Sequence, residues 1–234
     1  MKRGLRLLIF SLLVGVLVAG YFYLRRLAQP DSMRTVHVMQ FLHSPQDHPD
    51  WTVKVGAQCG EASFVFPSDG FIGYLWGDSF QAGHRHQGLD IFGGDDPGKV
   101  EVRAAYGGYL TRLSGWKSAV IVRIPKDPLQ PDRQIWTYYA HMADPDGNSF
   151  ISADFPAGTA EIFIKAGTLL GYQGDFSGDP LNPVGVHLHF SIVRDDGSGH
   201  FRNELEINNT LDPSPYFGLS LNANTNAGEI PLCK

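Results

Sequence analysis

Cysteine is almost missing from this 234-residue chain. Only Cys59 and Cys233 occur, and no C-x-x-C pair exists. That excludes a zinc site built from thiolates. Two readings of the pair stay open: one disulfide if the domain is exported, or two separate thiols. Sustained helical periodicity is also missing after residue 30, which excludes a helical bundle. No internal repeat or low-complexity tract is present. Basic residues are scarce beyond the first 34 positions, where Lys2, Arg3, Arg6, Arg25, Arg26 and Arg34 stand against Asp31 alone. The net charge is −5 overall and +5 over that stretch, so the remainder carries −10. An acidic body lacks the basic face that nucleic-acid binding needs.

What is abundant is turn chemistry. Gly occurs 27 times and Pro 15 times, with Tyr and Phe spread throughout. From residue 62 onward, short β-type runs alternate with turn signals such as Pro67-Ser68-Asp69-Gly70 and Asp144-Pro145-Asp146-Gly147. Strands are predicted at 62–66, 89–92, 108–113, 119–124, 135–141, 161–164, 168–173 and 186–193. The fold class that follows is all-β: a compact antiparallel sheet or sandwich with long loops around a groove.

The organisation read from the sequence has four parts. Residues 1–27 form an N-terminal membrane anchor or signal segment, 28–56 a spacer, 57–217 the folded domain and 218–234 a tail on the surface. Leu7 to Leu24 is a nearly unbroken apolar run behind Lys2, Arg3 and Arg6. Its eighteen residues sit at the lower edge of a membrane span, and aromatics and arginines end it as they do at a bilayer interface. A cleaved signal peptide ending near Val18-Ala19-Gly20 is the alternative. Both place the body outside the cytoplasm. In the spacer one short strand is predicted over 35–41, and His37, His43 and His48 are expected to be solvated.

The chemistry lies in three separated places: His86-Gln87-Gly88-Leu89-Asp90, Tyr139-Ala140-His141 and His187-Leu188-His189-Phe190. Residues two apart on a strand share a face, so His187 and His189 project together while Leu188 and Phe190 point into the core. Gly88 between His86 and Asp90 allows a backbone turn. Asp90 enters a strand that reads as buried, and a buried carboxylate needs a partner or a metal. Each piece alone also has a bland reading: a chance pair of histidines, an Asp in a turn, a core histidine.

In this order and with these glycines between them, the motifs resemble the lysostaphin-type (LytM-type) zinc metalloendopeptidases. These are extracytoplasmic enzymes that cut peptide bonds in bacterial cell-wall peptidoglycan. The resemblance covers roughly residues 64–194. It includes Ala104-Ala105-Tyr106-Gly107-Gly108-Tyr109 and Ile164-Lys165-Ala166-Gly167-Thr168-Leu169-Leu170-Gly171, which are similar to glycine-spaced hairpins of that family. It implies one Zn2+ held by His86, Asp90 and His189, with water in the fourth position. It leaves His187 and His141 as catalytic imidazoles. His187 is favoured as general base because it shares a strand face with a ligand, and His141 would orient water or donate to the oxyanion. Tyr139 is expected to add a hydroxyl near the oxyanion. His84, although in His84-Arg85-His86, is set aside by its spacing to Asp90. The implied partners are peptidoglycan peptides and, through the N-terminal helix, the membrane; a monomer is expected. The long stretches 143–162 and 176–183 would wall the groove.

Two other readings remain. One is a non-catalytic zinc-binding member of the same fold that binds the wall or activates another wall hydrolase. The other is a lipoyl- or biotin-carrier-like β-domain, for which Lys165 is the only nearby modifiable lysine.

Overall fold

The computed structural model describes residues 12–21, 32–79, 83–219, 221 and 228–233. The predicted membrane or signal segment falls mostly outside them. Residues 12–21 are helical, and among the described residues no helix is long and apolar enough to cross a membrane.

The body is antiparallel β. Its strands are β1 (Thr52–Val53), β2 (Gly70–Tyr74), β3 (Leu89–Phe92), β4 (Glu101–Arg103), β5 (Gly108–Thr111) and β6 (Val120–Ile124). They continue as β7 (Ile135–Ala140), β8 (Ile162–Ile164), β9 (Leu169–Tyr172), β10 (Leu188–Arg194) and β11 (Thr210–Leu211). The main sheet runs β1-β2-β3-β10-β7-β6-β5-β8, with β11 against β10, and β4 and β9 form a separate pair. Alternation assigns the two faces of the main sheet. Leu89, Ile91, Ile135, Tyr139, Leu188, Phe190 and Ile192 enter the main core, which Val102, Ala104 and Leu170 from the β4–β9 side close. The opposite face carries Asp90, Phe92 and His189.

That opposite face is covered by a helix where a strand was predicted. α1 (Ser32–His43) buries Arg34, Val38 and Phe41. Positions 34, 38 and 41 follow a helical period. Val36 and Val38, which would share a face in the strand predicted over 35–41, lie on different sides of the helix, with Val36 exposed. Close approach is made possible by Gly73, where a Cβ would come within 2.5 Å of Val38 Cγ2. The spacer histidines are not all solvated either: His48 stacks on Trp51 at 3.9 Å and His37 meets it edge-on at 5.3 Å.

Three further differences are local. Residues 62–66 form no strand, although Phe64 and Phe66 are buried; their amides bond to the Tyr216 and Ala57 carbonyls instead of to a ladder. β2 was missed because Gly70 and Gly73 interrupt its pattern, and it is buried throughout. The C-terminal stretch is not simply laid on the surface: Leu219 and Leu221 belong to the main core.

Cys59 and Cys233 are joined in a disulfide across a sequence separation of 174 residues. For a loop of this length the chain-entropy model gives about 5 kcal/mol, and typical measured values are about 2–4 kcal/mol. Replacing both cysteines by serine is therefore expected to lower Tm by roughly 5–15 °C in calorimetry. An unchanged Tm would show that the bond contributes nothing to the fold.

Candidate metal centre

The strand register builds the site. His189 on β10 stands directly opposite Asp90 on β3 and opposite Ala140 on β7. His86 arrives from the loop before β3. The result is a tight triad: His86 Nε2 lies 3.0 Å from Asp90 Oδ1 and 3.0 Å from His189 Nδ1, and His189 Nδ1 lies 2.8 Å from Asp90 Oδ1. His86 and Asp90 are buried and His189 is half-buried. Among the described residues these three form the one group able to hold a metal ion.

Gly88 is required here for a reason other than turn freedom. A Cβ at this position would sit 2.1 Å from the Phe190 carbonyl oxygen, so the loop carrying His86 can approach β10 only through a glycine. Backbone cannot yield cheaply to a methyl group, and overpacking costs typically 1–3 kcal/mol. Gly88→Ala is expected to lose about 3 kcal/mol of stability and to part His86 from His189. Denaturant unfolding and zinc content check both effects; wild-type values in each would show that the approach is not tight.

Protons and charges in the cluster follow from its surroundings. A carbonyl can only accept, so the His86 Nδ1–H donates to the Leu75 carbonyl at 3.1 Å. Neutral His86 therefore turns the Nε2 lone pair toward Asp90 and His189. His189 Nε2 shares a hydrogen bond with Ser191 Oγ at 2.7 Å. With both imidazoles neutral, three nitrogen and oxygen atoms able to bind a metal converge with at most one proton between them, an arrangement that a cation relieves. Burial works against charge on Asp90, yet His86, His187 and the hydrogen bond with His189 hold its carboxyl well below the usual carboxylate range. Burial also opposes a charged His86, but the Asp90 carboxylate outweighs it and raises the imidazole. For His189 burial prevails and the pKa is lowered. Two imidazole nitrogens and one carboxylate oxygen suit zinc, and a carbonyl bonded to the far nitrogen of a ligand histidine is its usual support.

The remaining imidazoles flank the triad. His187 Nδ1–H donates to the Gly185 carbonyl at 2.9 Å, and its Nε2 lies 3.5 Å from Asp90 Oδ1. His141 Nδ1–H donates to the Phe176 carbonyl at 2.7 Å. The two rings are 4.7 Å apart. With Nδ1–H pinned to a carbonyl, the Nε2 of each ring is left to face the groove. Burial, with help from His187 and His189, lowers the His141 pKa to about 3, so this ring is neutral at physiological pH. His141 takes a left-handed backbone (φ 69°) as β7 ends, which turns it out of the strand's alternation.

Tyr139 is placed elsewhere. Sharing a strand face with His141 would have carried it to the site, but His141 has left the strand. The Tyr139 ring lies in the core with no exposure, and its hydroxyl accepts the Ala105 amide at 2.8 Å. Tyr138, one position out of phase, lines the groove in its place and bonds to Glu204. His84 lies at the groove edge, outside the triad. The groove encloses about 650 Å³ above the triad, walled by Met39 and Leu42 of α1, Phe176, Val184 and Leu205. Of the two stretches expected as walls, 176–183 lines the groove through Phe176, Ser177 and Gly178, whereas 143–162 does not line it.

No family model and no curated protein matches the chain. Several solved structures are similar to it. The antimicrobial peptidase lysostaphin from Staphylococcus simulans aligns at 20% identity and TM-score 0.41, over 63% of this chain and 49% of that one. Its catalytic domain, crystallised without phosphate, aligns at 17% and 0.40, over 67% and 92%. The catalytic domain of the prophage-encoded protein EnpA from Enterococcus faecalis aligns at 17% and 0.37, over 64% and 94%. This chain spans about half the length of the full lysostaphin chain it matches. At these identities and scores, the functional reading rests on the side-chain geometry.

Proposed function

We propose that this protein is a zinc-dependent metalloendopeptidase that hydrolyses peptide bonds of bacterial cell-wall peptidoglycan. The observation that carries the reading is the convergence of His86 Nε2, Asp90 Oδ1 and His189 Nδ1 within 3.0 Å of one another, beneath a groove that two more imidazoles face. Bound zinc supplies a Lewis acid and brings the pKa of water toward neutrality. His86, Asp90 and His189 would hold it. His187 then acts as general base, its Nε2 accepting the proton of the attacking water and delivering it to the leaving amine. Neutral His141 accepts a hydrogen bond from the same water at Nε2 and orients it. With Nδ1–H held by the Phe176 carbonyl, a neutral ring has no proton at Nε2, which supports the water-orienting role over donation to an oxyanion. The apolar groove walls exclude bulk water from the reacting carbonyl.

The Cys59–Cys233 bond supports a location outside the cytoplasm, because disulfides persist in oxidising compartments. The apolar run from Leu7 to Leu24 supports delivery there by an anchor or a signal.

The test is a digest of peptidoglycan preparations with purified protein, loaded with zinc or stripped by a chelator. New amino termini are expected only from the loaded protein. Stoichiometric zinc with no new termini from any wall preparation would end the enzyme reading in favour of a binding role.

A further inference from the structure

α1 does more than cover the sheet. Its Arg34 is 2% exposed and forms an ion pair with Asp78, which has no exposure, at 2.8 Å (Nε to Oδ2). The same Asp78 oxygen accepts the Leu75 amide at 2.6 Å. The Asp78 amide donates to the Leu75 carbonyl at 3.1 Å, so the carboxylate and the backbone close the turn from both ends. The Leu75 carbonyl is also the acceptor of the His86 Nδ1–H. Asp78 reaches His86 by a second path as well, because its carbonyl accepts the His86 amide at 2.8 Å. One continuous set of contacts therefore runs from a side chain on α1 to the far nitrogen of a metal-ligating imidazole.

We infer that Arg34 is a positioning residue for the metal centre: it holds the Asp78 carboxylate in the turn that fixes the Leu75 carbonyl, and through it the tautomer and angle of the His86 ring. Without its cation the Asp78 carboxylate is an uncompensated buried charge, which is relieved only if the turn opens to water and takes the carboxylate away from the Leu75 amide. Once the turn relaxes, the His86 ring loses the acceptor that keeps Nδ1 protonated and Nε2 aimed at Asp90 and His189. Loss of such a support costs a metal site about tenfold to a hundredfold in affinity. The inference rests on the zinc reading above. It makes a helix from the stretch expected to be a spacer part of the catalytic unit.

The test uses the full chain, with zinc affinity read by competition against a chromophoric chelator and the His86 tautomer read by nitrogen NMR on the metal-free protein. Arg34→Met is expected to bind zinc about tenfold to a hundredfold more weakly. Two double variants guard against misfolding, since both remove the buried charge pair. Arg34→Met with Asp78→Asn keeps an acceptor for the Leu75 amide and is expected to retain the Nδ1–H tautomer and bind zinc within a few-fold of wild type. Arg34→Met with Asp78→Leu lacks that acceptor and is expected to bind at least about tenfold more weakly, with the tautomer signal lost. Phe41→Leu, which loosens α1 without touching Asp78, is expected to lower Tm and leave zinc affinity unchanged. Equal zinc affinity in the two double variants, or a loss in Phe41→Leu as large as in Arg34→Met, would overturn the inference. Failure of the wild type to bind zinc would overturn the metal reading instead, and the tautomer comparison still decides this one.

Discussion

His189→Ala is expected to abolish zinc binding and peptidoglycan hydrolysis together. Structural zinc sites draw on the order of 10–16 kcal/mol from about four protein ligands, so one ligand accounts for roughly 2.5–4 kcal/mol, or about two to three orders of magnitude in affinity. The loss at this position falls at the upper end. His189 touches both other residues of the triad, at 3.0 and 2.8 Å, and no described neighbour outside the triad can replace its Nδ1. His187 is the nearest substitute, but its Nε2 is 3.5 Å from Asp90 Oδ1 and its ring is fixed by Gly185 and stacked on Phe92 at 4.9 Å. The fold should survive, because Leu188 and Phe190 still fill the core from the same strand. Elemental analysis after dialysis and a wall digest in excess zinc check the two halves. Near-stoichiometric zinc in a folded His189→Ala protein would remove it from the ligand set.

His187→Ala separates catalysis from metal binding. A positioned general base contributes typically 10²–10⁴-fold, so activity is expected to fall by about that factor. Zinc affinity should stay within roughly tenfold of wild type, the smaller cost of changing a ligand's surroundings. The contrast with His141 sharpens the assignment. His141 has its pKa lowered to about 3, so it stays neutral and contributes no ionisation to the activity profile between pH 5 and 8. An acid limb in that range should therefore survive His141→Ala. Equal loss of zinc in the His187 and His189 variants would refute the division of roles.

The site was more legible in the sequence than the fold around it. His86, Asp90 and His189 are singled out by the resemblance of three ordered motifs, since strand alternation and one glycine alone leave each of them a bland reading. Their meeting point required only that two strands pair, which the register of β3 against β10 provides. The errors arose where a local pattern was overruled by tertiary packing. Val36 and Val38 alternate like a strand, but the burial of Arg34 with Asp78 and of Phe41 with Phe71 holds that segment as a helix. Tyr139 was assigned by a strand rule that stops one residue too early, because His141 adopts a left-handed backbone. Arg34 had no signal at all. A lone arginine near a basic stretch reads as surface charge, and only the buried carboxylate of Asp78, 44 positions later in the sequence, gives it a role.

The central position of β10 bears on how the protein opens. It is paired on one side with β3 and on the other with β7, and β11 joins it further along. Strands held on both edges unfold with the whole domain, whereas loops open alone at little cost. Two of the three residues proposed to hold zinc therefore sit on elements whose amide hydrogens are expected to exchange only with global unfolding. The segment bearing Phe176 and Gly185 forms few ladder bonds and is free to exchange much sooner. Substitutions in that wall can change what fits the groove while β3 and β10 keep Asp90 and His189 in place, provided that the Phe176 and Gly185 carbonyls still fix His141 and His187.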